Sequence, residues 1–349
     1  MTTITTITPI TTEQNTPAQI LSRAWQRRGP LACLLWPLSL VFWLLQALRS
    51  ALYQAGVLRS VSLPVPVIVI GNIFVGGTGK TPLLIWLLAQ LREQGFTPGV
   101  ISRGYGRHAE QVLAVTASMS PQQVGDEPLL IAQKTAAPMM VGRNRVAAGL
   151  ALCAAFPEVD VIISDDGLQH YALARTVEIQ LSDARGHGNG WLLPAGPLRE
   201  WPSRRSDFYV VNGAAETGEH AFRMQLTGTH AEQLTDRRRQ RPLSALLSQQ
   251  GIAAVAGIGH PQRFFDMLRA QGVVLSELRA LPDHFDFSVN PFAAIAADII
   301  LITEKDAVKC VAIDMIARDS RLWVVPVQTT ITGSLVKNIV EKLRGHSPA

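Results

Sequence analysis

The feature that most constrains this chain is the stretch VPVIVIGNIFVGGTGKTPLLIWLL, which occupies Val65–Leu88. Its first part, Val65–Ile70, is a continuous apolar run rich in β-branched residues, which is typical of a buried parallel strand. A glycine-rich turn follows, and an apolar run with Pro82 near its start then predicts a helix. Strand, glycine loop and helix together form the context that a phosphate loop requires, so the sequence predicts a nucleotide site.

The end of the phosphate-loop template G-x-x-x-x-G-K-S/T is matched at residues 79–81, whereas Phe74 occupies its first glycine position. The loop amides and the helix N-terminus would bind phosphates, Lys80 would neutralise the β- and γ-oxygens, and Thr81 would ligate Mg²⁺. We therefore expect ATP and Mg²⁺ as ligands; the alternative is a glycine turn with an incidental lysine. The residues predicted to bind ATP are Phe74, Val75, Gly76, Gly77, Thr78, Gly79, Lys80 and Thr81.

Five further β-rich runs follow the loop, and helical patterns at Glu127–Lys134 and Arg143–Ala155 separate several of them. This alternation predicts a doubly wound parallel sheet in a P-loop NTPase-like α/β/α domain. After a polar stretch, another strand, glycine turn and helix, with two later strands, predict a second, smaller α/β/α domain. The five runs are Gly99–Ser102, Pro138–Val141, Val159–Ser164, Val177–Ser182 and Phe208–Val211.

The chain has 349 residues, of which 47% are hydrophobic, and this is enough for two domains with separate cores. Its net charge of +5 is compatible with anionic ligands, nucleic acid or an anionic membrane surface. The three cysteines, Cys33, Cys153 and Cys310, are far apart and are interpreted as reduced packing residues of a cytosolic protein. The expected segments are a disordered Thr-rich extension at 1–17, a membrane-associated helix region at 18–60, a P-loop core at 61–213, a linker at 214–250 and a C-terminal α/β domain at 251–349.

The N-terminal region carries an uncharged run of 18 residues, Leu31–Leu48, with Arg27 and Arg28 before it and Arg49 after it. This length and composition favour a membrane-associated helix, although a buried helix of a soluble domain is the alternative. If the ATP-using domain faces the cytosol, a single span would place Arg27 and Arg28 outside, against the positive-inside tendency. We therefore favour a monotopic helix that lies in, or dips into, the inner face of the membrane.

Asp165 and Asp166 follow an apolar strand, at the carboxyl end where ligands gather in parallel sheets. A carboxylate in this place typically holds Mg²⁺ in phosphate-loop enzymes, although adjacent aspartates can also cap a helix or a turn. Asp126 precedes a helical run, for which helix capping is one interpretation. His284 lies beside Asp283 in a predicted loop and is either a catalytic or a structural residue.

Several arginines lie at strand ends or in loops rich in glycine and proline. Each of them, taken alone, is compatible with a solvated surface position. Together they suggest an anion site for nucleotide and substrate. The candidates are Arg103, Arg107, Arg143, Arg145 and Arg199.

Seven segments run in order from Gly71 to Cys310: GNIFVGGTGKTP, SRGYGR, GDEP, DDGLQHY, NGWLLPAGPLRE, GIGHPQRFF and TEKDAVKC. As a set they resemble the tetraacyldisaccharide 4'-kinase family, the lipid A 4'-kinases of Gram-negative bacteria. With the apolar N-terminal helix, the resemblance covers nearly all the chain after about Ile20. The Thr-rich start lies outside the family pattern.

The resemblance implies ATP-dependent phosphorylation of the 4'-hydroxyl of a tetraacylated glucosamine disaccharide 1-phosphate, at the cytoplasmic face of the inner membrane. It also implies two α/β/α lobes with the active site in the cleft between them. The expected partners are this acylated lipid and the inner membrane, with neither nucleic acid nor an obligate protein partner.

The resemblance further assigns roles to individual residues. Asp126 would act as the base, assisted by His284, while Lys80 would act on the transferred phosphate. Asp165, Asp166 and Glu200 match positions in the Mg²⁺ neighbourhood. One or more of the arginines named above would hold the 1-phosphate of the substrate.

The main alternative function is a membrane-attached P-loop ATPase switch of the positioning or partitioning type. Those ATPases carry the loop K-G-G-x-G-K-T, and Val75 stands here where their signature lysine would be. A GTPase is disfavoured, because TEKD at Thr303–Asp306 has its lysine one place too late for the guanine-reading motif. A non-catalytic membrane scaffold is disfavoured by the intact Lys80, Thr81 and paired aspartates.

Overall fold

The strands and helices follow the apolar runs of the sequence in a computed structural model that describes residues 21, 24–107, 110–213 and 220–345. The predicted disordered extension, 1–17, lies outside the described residues. In chain order the strands are β1 (Val67–Gly71), β2 (Pro98–Ser102), β3 (Leu113–Ala114), β4 (Met139–Val141), β5 (Val161–Asp165), β6 (Val177–Asp183), β7 (Phe208–Asn212), β8 (Ala221–Thr227), β9 (His230–Gln233), β10 (Gln240–Pro242), β11 (Ile252–Ala256), β12 (Glu277–Ala280), β13 (Ile299–Thr303), β14 (Leu322–Val325) and β15 (Gln328–Ile331).

The helices connect these strands and flank the sheets. They are α1 (Pro30–Gln54), α2 (Lys80–Glu93), α3 (Pro121–Val124), α4 (Asp126–Thr135), α5 (Arg145–Ala155), α6 (Pro261–Ala270), α7 (Glu304–Cys310), α8 (Asp314–Ala317) and α9 (Leu335–Arg344), and Leu243–Leu246 forms a 3₁₀ turn.

The first sheet has β1 near its centre, and it confirms the doubly wound architecture. Across the described residues its order is β15-β8-β7-β6-β1-β5-β2-β4-β3, with antiparallel pairing for β15–β8 and β4–β3 and parallel pairing elsewhere. The chain proceeds from β1 to β2 on one side, and from β5 to β6 on the other. Such a reversal opens a crevice at the carboxyl ends of the central strands.

Two apolar layers cover the two faces of the first sheet. Because side chains alternate along a strand, Ile68 and Ile70 of β1 enter one layer, while Val67 and Val69 enter the other. The first layer contains five leucines of α2, and the second contains residues of α5. The phosphate loop is therefore held between a buried strand and a helix that packs directly against the sheet.

The second lobe contains the smaller sheet, with the order β10-β9-β14-β13-β11-β12 in the described part of the chain. Four of its strands, β14, β13, β11 and β12, run parallel to one another. β9 is antiparallel to β14, and β10 is antiparallel to β9. Phe264, Phe265 and Leu268 of α6 pack on one face, and Ala307 and Cys310 of α7 pack on the other. This arrangement confirms the predicted second α/β/α unit.

The polar range 214–250, expected to be a linker, contains β8, β9 and β10 instead; residues 214–219 lie outside the described residues. β8 joins the first sheet, while β9 and β10 join the second. In β8 the buried Phe222 and Met224 alternate with the more exposed Arg223 and Gln225. The sequence did not predict this strand, because its outward-facing residues are polar and give the range a polar composition.

The last segment of the chain returns to the first lobe, whereas the whole of 251–349 was expected to form one domain. β15 pairs with β8, and α9 buries Leu335, Ile339, Val340 and Leu343 in the layer that contains the α2 leucines. This apolar stripe has helical spacing and covers sheet surface that would otherwise face water. The described chain consequently passes between the lobes twice, after β8 and after β14.

α1 lies along the first lobe and is largely exposed. It is the one helix in the described residues that is long and apolar enough to cross a membrane, by length and composition alone, with mean hydropathy 2.0 and 11% of its most apolar window buried. Ser39 is nevertheless buried: its Oγ donates to the Leu192 carbonyl at 2.8 Å and accepts from the Ala195 N–H at 3.0 Å. A small part of the helix surface is thus fixed against protein, and most of the rest is an uncovered apolar surface.

Candidate active site

The phosphate loop joins β1 to α2, as the sequence predicts. Gly79 is the N-cap of α2 with φ of 104°, and a Cβ there would lie 2.6 Å from Nδ2 of Asn212, so glycine is required. Phe74, at the first glycine position of the template, forms a bridge with Leu198 and packs with Ile73. These contacts anchor the start of the loop.

Lys80 lies at the first position of α2, and its ammonium group is held by two neighbours. Nζ donates to Oδ1 of Asn72 at 2.9 Å and lies 3.5 Å from Oδ1 of Asp166. The amide group of Asn72 also donates to the carbonyl oxygens of Phe74 and Gly76, so Asn72 links the lysine to the loop backbone. Asn72 was not among the predicted site residues, and its signal in the sequence was its place within the GNIFVGGTGKTP segment.

Asp165 ends β5 beside the phosphate loop and is buried. Its Oδ2 accepts a hydrogen bond from Oγ of Ser102 at 2.9 Å, while Oδ1 has no hydrogen-bond partner among the described residues. Burial, together with the nearby charges of Glu127 and Asp166, raises the pKa of Asp165 to about 6. A buried carboxylate with a free oxygen favours a cation close by.

Asp166 has φ of 48°, and its carboxylate pairs with two positively charged side chains. Arg199 Nη1 donates to Oδ2 at 3.0 Å and to Oδ1 at 3.2 Å, and Lys80 lies on the other side. Burial raises the pKa of Asp166, but the charges of Lys80 and Arg199 outweigh this effect and lower it overall. Arg199, predicted to bind substrate, therefore lies at the aspartate pair.

Glu200, predicted near Mg²⁺, has both oxygens engaged by protein groups. Oε1 accepts from Gln169 at 3.0 Å, while Oε2 accepts from Tyr171 at 3.0 Å and pairs with Nε of Arg204 at 2.6 Å. These contacts hold the 169–171 and 199–204 segments together, and the placement of Glu200 near Mg²⁺ stays a prediction.

Asp126 and His284 meet across the two lobes. Asp126 is the first residue of α4, and its Oδ2 lies 3.0 Å from Nδ1 of His284, which comes from the loop after β12. The N-cap of this helix is Gly125, so Asp126 does not occupy the capping position itself. The structure therefore brings together two residues that the sequence predicted from separate motifs.

Two lysines of α7 complete this cluster, and the sequence analysis assigned them no role. Lys305 Nζ lies 2.9 Å from Oε1 of Glu127 and 4.0 Å from Oδ2 of Asp126, and Lys309 Nζ lies 3.8 Å from the same Asp126 oxygen. Burial raises the pKa of Asp126, but the hydrogen bond from His284 and the charges of both lysines lower it to about 2. The i, i+4 spacing in TEKDAVKC places both lysines on one helix face and was the available signal.

The other predicted arginines divide into buried and exposed groups. Arg145 is buried at the start of α5, where its Nη1 donates to the Gly142 carbonyl at 3.2 Å. Burial lowers the pKa of Arg145, while Asp165 and Asp166 oppose this shift, which places the three groups within electrostatic reach. Arg143 is exposed and pairs with Glu110 at 3.0 Å.

Arg103 and Arg107 belong to the loop after β2. Arg103 is exposed, and Arg107 is partly buried with Nη2 donating to the Glu110 carbonyl at 3.1 Å. The charges of both arginines lower the pKa of Arg145, so the three are within electrostatic reach of one another. We call Arg103, Arg107 and Arg145 the cationic wall; Arg143, by contrast, is exposed.

The donor set fits Mg²⁺. In the described part of the chain no three His, Cys, Asp or Glu side chains form a closed metal site, and Mg²⁺ does not need one, because it commonly uses one or two carboxylates with waters and substrate phosphates. The free buried Oδ1 of Asp165 and the partly buried Thr81 beside Lys80 are suitable oxygen donors.

Three features define the chain as a P-loop phosphotransferase. They are a phosphate loop with its lysine, paired aspartates at the end of the neighbouring strand β5, and an Asp–His pair contributed by two lobes. Comparison with known proteins identifies the family. The family model described as tetraacyldisaccharide-1-P 4'-kinase matches residues 31–344. The chain belongs to the tetraacyldisaccharide 4'-kinase family.

Individual relatives agree with this family. The chain is 58% identical to the tetraacyldisaccharide 4'-kinase of Janthinobacterium sp. (strain Marseille), over 95% of this chain and 97% of the relative. It is 54% identical to the protein of the same name from Herminiimonas arsenicoxydans, over 98% of this chain and 100% of the relative. Among solved structures, the "apo" form of LpxK from Aquifex aeolicus, in complex with ATP, matches with a TM-score of 0.74 and 29% identity, over 90% of this chain and 99% of that chain.

These findings confirm the resemblance, the fold class and the kinase function. They do not support the ATPase switch, which was the main alternative.

Proposed function

We propose that the chain transfers the γ-phosphoryl group of ATP to the 4'-hydroxyl of a tetraacyl disaccharide 1-phosphate, in lipid A biosynthesis at a membrane surface. Family membership supports the reaction. The observation that carries the proposal is the convergence of Lys80, the paired aspartates and the Asp126–His284 pair on the carboxyl edge of one sheet.

The loop residues Phe74–Thr81 bind the triphosphate, mainly through backbone N–H groups at the N-terminus of α2. Lys80 neutralises charge on the β- and γ-oxygens, and Asp166 and Asn72 hold its ammonium group in place. Thr81 and Asp165 would hold Mg²⁺, which when bound neutralises charge on the phosphates. Asp166 orients Lys80 and Arg199 beside this position.

Asp126 accepts the proton of the 4'-hydroxyl. Its pKa of about 2 keeps the carboxylate ionised at neutral pH, so it accepts a hydrogen bond from the hydroxyl and aims the oxygen at phosphorus. The proton passes to this carboxylate as the new O–P bond forms and the bond to the ADP oxygen breaks. Because phosphoryl transfer has a loose transition state, little proton transfer is needed early in the step. His284 holds the carboxylate through Nδ1.

The cationic wall of Arg103, Arg107 and Arg145 is proposed to bind the 1-phosphate of the lipid. Guanidinium groups match phosphate oxygens in pairs, and the wall lies next to the paired aspartates, where the substrate would enter. Arg143 contributes less, because it is exposed and paired with Glu110.

α1 is proposed to hold the enzyme at the inner membrane, on its cytoplasmic face, as a monotopic helix. Ser39, in the middle of α1, is bonded to the backbone of the first lobe. A spanning helix would place this residue near the bilayer centre, where the polar lobe cannot follow it. The opposite face exposes the side chains of Leu34, Leu38, Val41, Leu44, Leu45 and Leu48. This face can enter the lipid while the docked face stays on the protein.

The orientation is tested with a protease-cleavable N-terminal tag in sealed inside-out and right-side-out vesicles. A monotopic helix leaves the tag on the same side as the kinase lobes. A tag found on the opposite side would show that α1 spans the bilayer.

The reaction is tested by thin-layer chromatography with the full chain in detergent, γ-labelled ATP, Mg²⁺ and the tetraacyl disaccharide 1-phosphate. Label should move to the lipid with the wild type and with Lys337→Ala, whose side chain is exposed on α9. Lys80→Ala should abolish transfer. Release of labelled phosphate without labelled lipid would contradict the proposed acceptor.

A further inference from the structure

A buried carboxylate at the end of β6 connects the two lobes. Asp183 is 2% exposed, and its Oδ2 accepts a hydrogen bond from Nη2 of Arg185 at 2.7 Å and from Nη2 of Arg263 at 2.7 Å. Arg185 belongs to the first lobe, whereas Arg263 is the third residue of α6 in the second lobe. These three residues are called the arginine clasp.

Each guanidinium of the clasp also binds the phosphate loop. Arg185 Nη2 donates to the Gly77 carbonyl at 3.0 Å, and Arg263 Nη1 donates to the Thr78 carbonyl at 3.2 Å. Asn212, at the end of β7, donates to the same Thr78 oxygen at 2.9 Å. Two successive loop carbonyls are therefore turned towards the clasp.

Fixing these carbonyls also fixes the neighbouring amides. In a planar trans peptide the C=O and the following N–H point in opposite directions. The N–H groups of Thr78 and Gly79 are thus directed away from the clasp. A phosphate loop works by presenting such N–H groups to phosphate oxygens, so the clasp orients the phosphate-binding groups of the loop without touching the nucleotide itself.

A backbone contact reinforces this link between the lobes. A Cβ at Gly259, in the turn before α6, would lie 2.6 Å from the Gly77 nitrogen and 3.2 Å from its Cα. Only glycine allows the turn of the second lobe to approach the loop so closely. Arg263 itself is 28% exposed, while Phe264, Phe265 and Leu268 bind α6 to the core of its lobe. Loss of the Arg263 side chain should therefore leave the second lobe folded.

We infer that Arg263 is a positioning residue, through which the second lobe orders the phosphate loop and raises its affinity for ATP. This inference rests on the proposed function, in which the loop binds ATP. It assigns to the second lobe a share in nucleotide binding in addition to the contribution of His284 to the Asp126 pair.

The test uses the full chain in detergent and measures the Kd of a fluorescent ATP analogue, the KM for each substrate, kcat and the thermal midpoint. Arg263→Ala should raise the Kd and the KM for ATP about tenfold, because it removes two charge-assisted hydrogen bonds. The KM for the lipid and the thermal midpoint should be close to those of the wild type. The matched control is Arg269→Ala, on the same helix, where the arginine is exposed and lies 3.5 Å from Asp266.

Further variants separate positioning from folding. Arg263→Lys should remain defective for ATP, because one ammonium group cannot reach both the Asp183 carboxylate and the Thr78 carbonyl with the guanidinium geometry. Gly259→Ala should weaken ATP binding without any change of charge. The effects of Asp183→Asn and Arg263→Ala on ATP affinity should be non-additive in the double variant, since both act through one clasp.

Arg263→Ala and Gly259→Ala with ATP affinities within twofold of the wild type would overturn the inference. A loss of ATP affinity that only follows a lowered thermal midpoint would also overturn it, because the role would then be structural. A wild type that binds ATP but labels no lipid, with weakened binding in Arg263→Ala, would support the clasp and contradict the proposed acceptor.

Discussion

Asp126 shows how a single side chain depends on both lobes. Its own lobe supplies the start of α4, and the other lobe supplies His284, Lys305 and Lys309. The carboxylate is buried, yet these neighbours keep it ionised, so it can accept a hydrogen bond from the substrate hydroxyl.

Asp126→Asn should lower kcat by about 10² to 10⁴-fold, because the amide cannot accept the hydroxyl proton. The Kd for ATP should change little, since the proposed ATP contacts lie in the phosphate loop. Glu158→Gln, at an exposed position of the same lobe, is the matched control. An Asp126→Asn protein that is folded and has nearly normal kcat would contradict the role of base, and one that unfolds would indicate a structural role.

Acid stability gives an independent measurement on the same residue. The folded-state pKa of Asp126, about 2, lies below its ordinary value of 3.8. The ionised carboxylate therefore stabilises the fold above about pH 4, and this contribution, about 2 kcal/mol, is lost as the pH falls towards 2. Denaturant unfolding of wild type and Asp126→Asn at several pH values should show the difference between them shrinking in this window. A constant difference would contradict the depressed pKa.

Asp165 illustrates the opposite case, a buried carboxylate whose environment disfavours its charge. Its Oδ1 is without a hydrogen-bond partner in the described structure, and its pKa is raised to about 6. Asp165→Asn should therefore raise the free energy of unfolding of the ligand-free protein at neutral pH by about 1–3 kcal/mol, while lowering activity. Thermal melts with and without Mg²⁺ and ATP would test this. Ligand should stabilise the wild type more than the variant, and an equally large ligand effect would exclude Asp165 from the metal site.

At the scale of elements, α1 combines two opposite faces. One face is fixed to the first lobe by Ser39 and by the aromatic contact of Trp36 with Trp191. The other face carries Leu38 and Leu45, which are 56% and 61% exposed. An uncovered apolar stripe of this length on a folded domain is typical of a membrane-contact surface.

The double variant Leu38→Asn with Leu45→Asn should lower partitioning into anionic phospholipid vesicles at least about tenfold, because two leucine side chains no longer enter the lipid. Thermal stability in detergent should be close to that of the wild type. Val289→Asn, at a 71% exposed apolar position of the second lobe, is the control and should bind vesicles normally. Unchanged partitioning of the double variant would exclude this face as the membrane contact.

At the scale of the whole molecule, the two lobes are interleaved by the chain and joined by charged contacts. β15 and α9 come after the second sheet in sequence but complete the first lobe. Four of these side-chain pairs connect the lobes around the crevice: Asp126 with His284, Glu127 with Lys305, Lys134 with Glu304, and Asp183 with Arg263. Residues of both lobes therefore complete the active site.

Ile339→Ala tests whether α9 stabilises the lobe that binds ATP. Ile339 is fully buried in the first-lobe core, so its truncation should lower the free energy of unfolding by about 2–5 kcal/mol. In denaturant unfolding, the transition destabilised by Ile339→Ala should be the same transition that ATP shifts to higher denaturant concentration, which is unfolding of the first lobe. Lys337→Ala, two residues away on the exposed side of the helix, should have a small effect. A destabilised transition that ATP does not shift would assign α9 to the second lobe instead.

The sequence predicted those features that depend on neighbours along the chain. Val67–Gly71, the glycine loop and α2 could be recognised because an apolar strand, a glycine turn and a helix start are local patterns. The same holds for Asp165 and Asp166, which end a strand. β8 was not recognised, because a strand with alternating polar residues resembles a polar linker when its partners are unknown.

The sequence by itself determined the class of fold, the place of the phosphate loop and the apolar character of α1, since each is written in residues a few positions apart. The folded molecule was needed to show that His284 lies 3.0 Å from Asp126, 158 residues away along the chain, and that Arg263 reaches the phosphate loop. Both contacts arise from the packing of two lobes. That packing depends on the fit between distant surfaces, which no short stretch of the chain encodes.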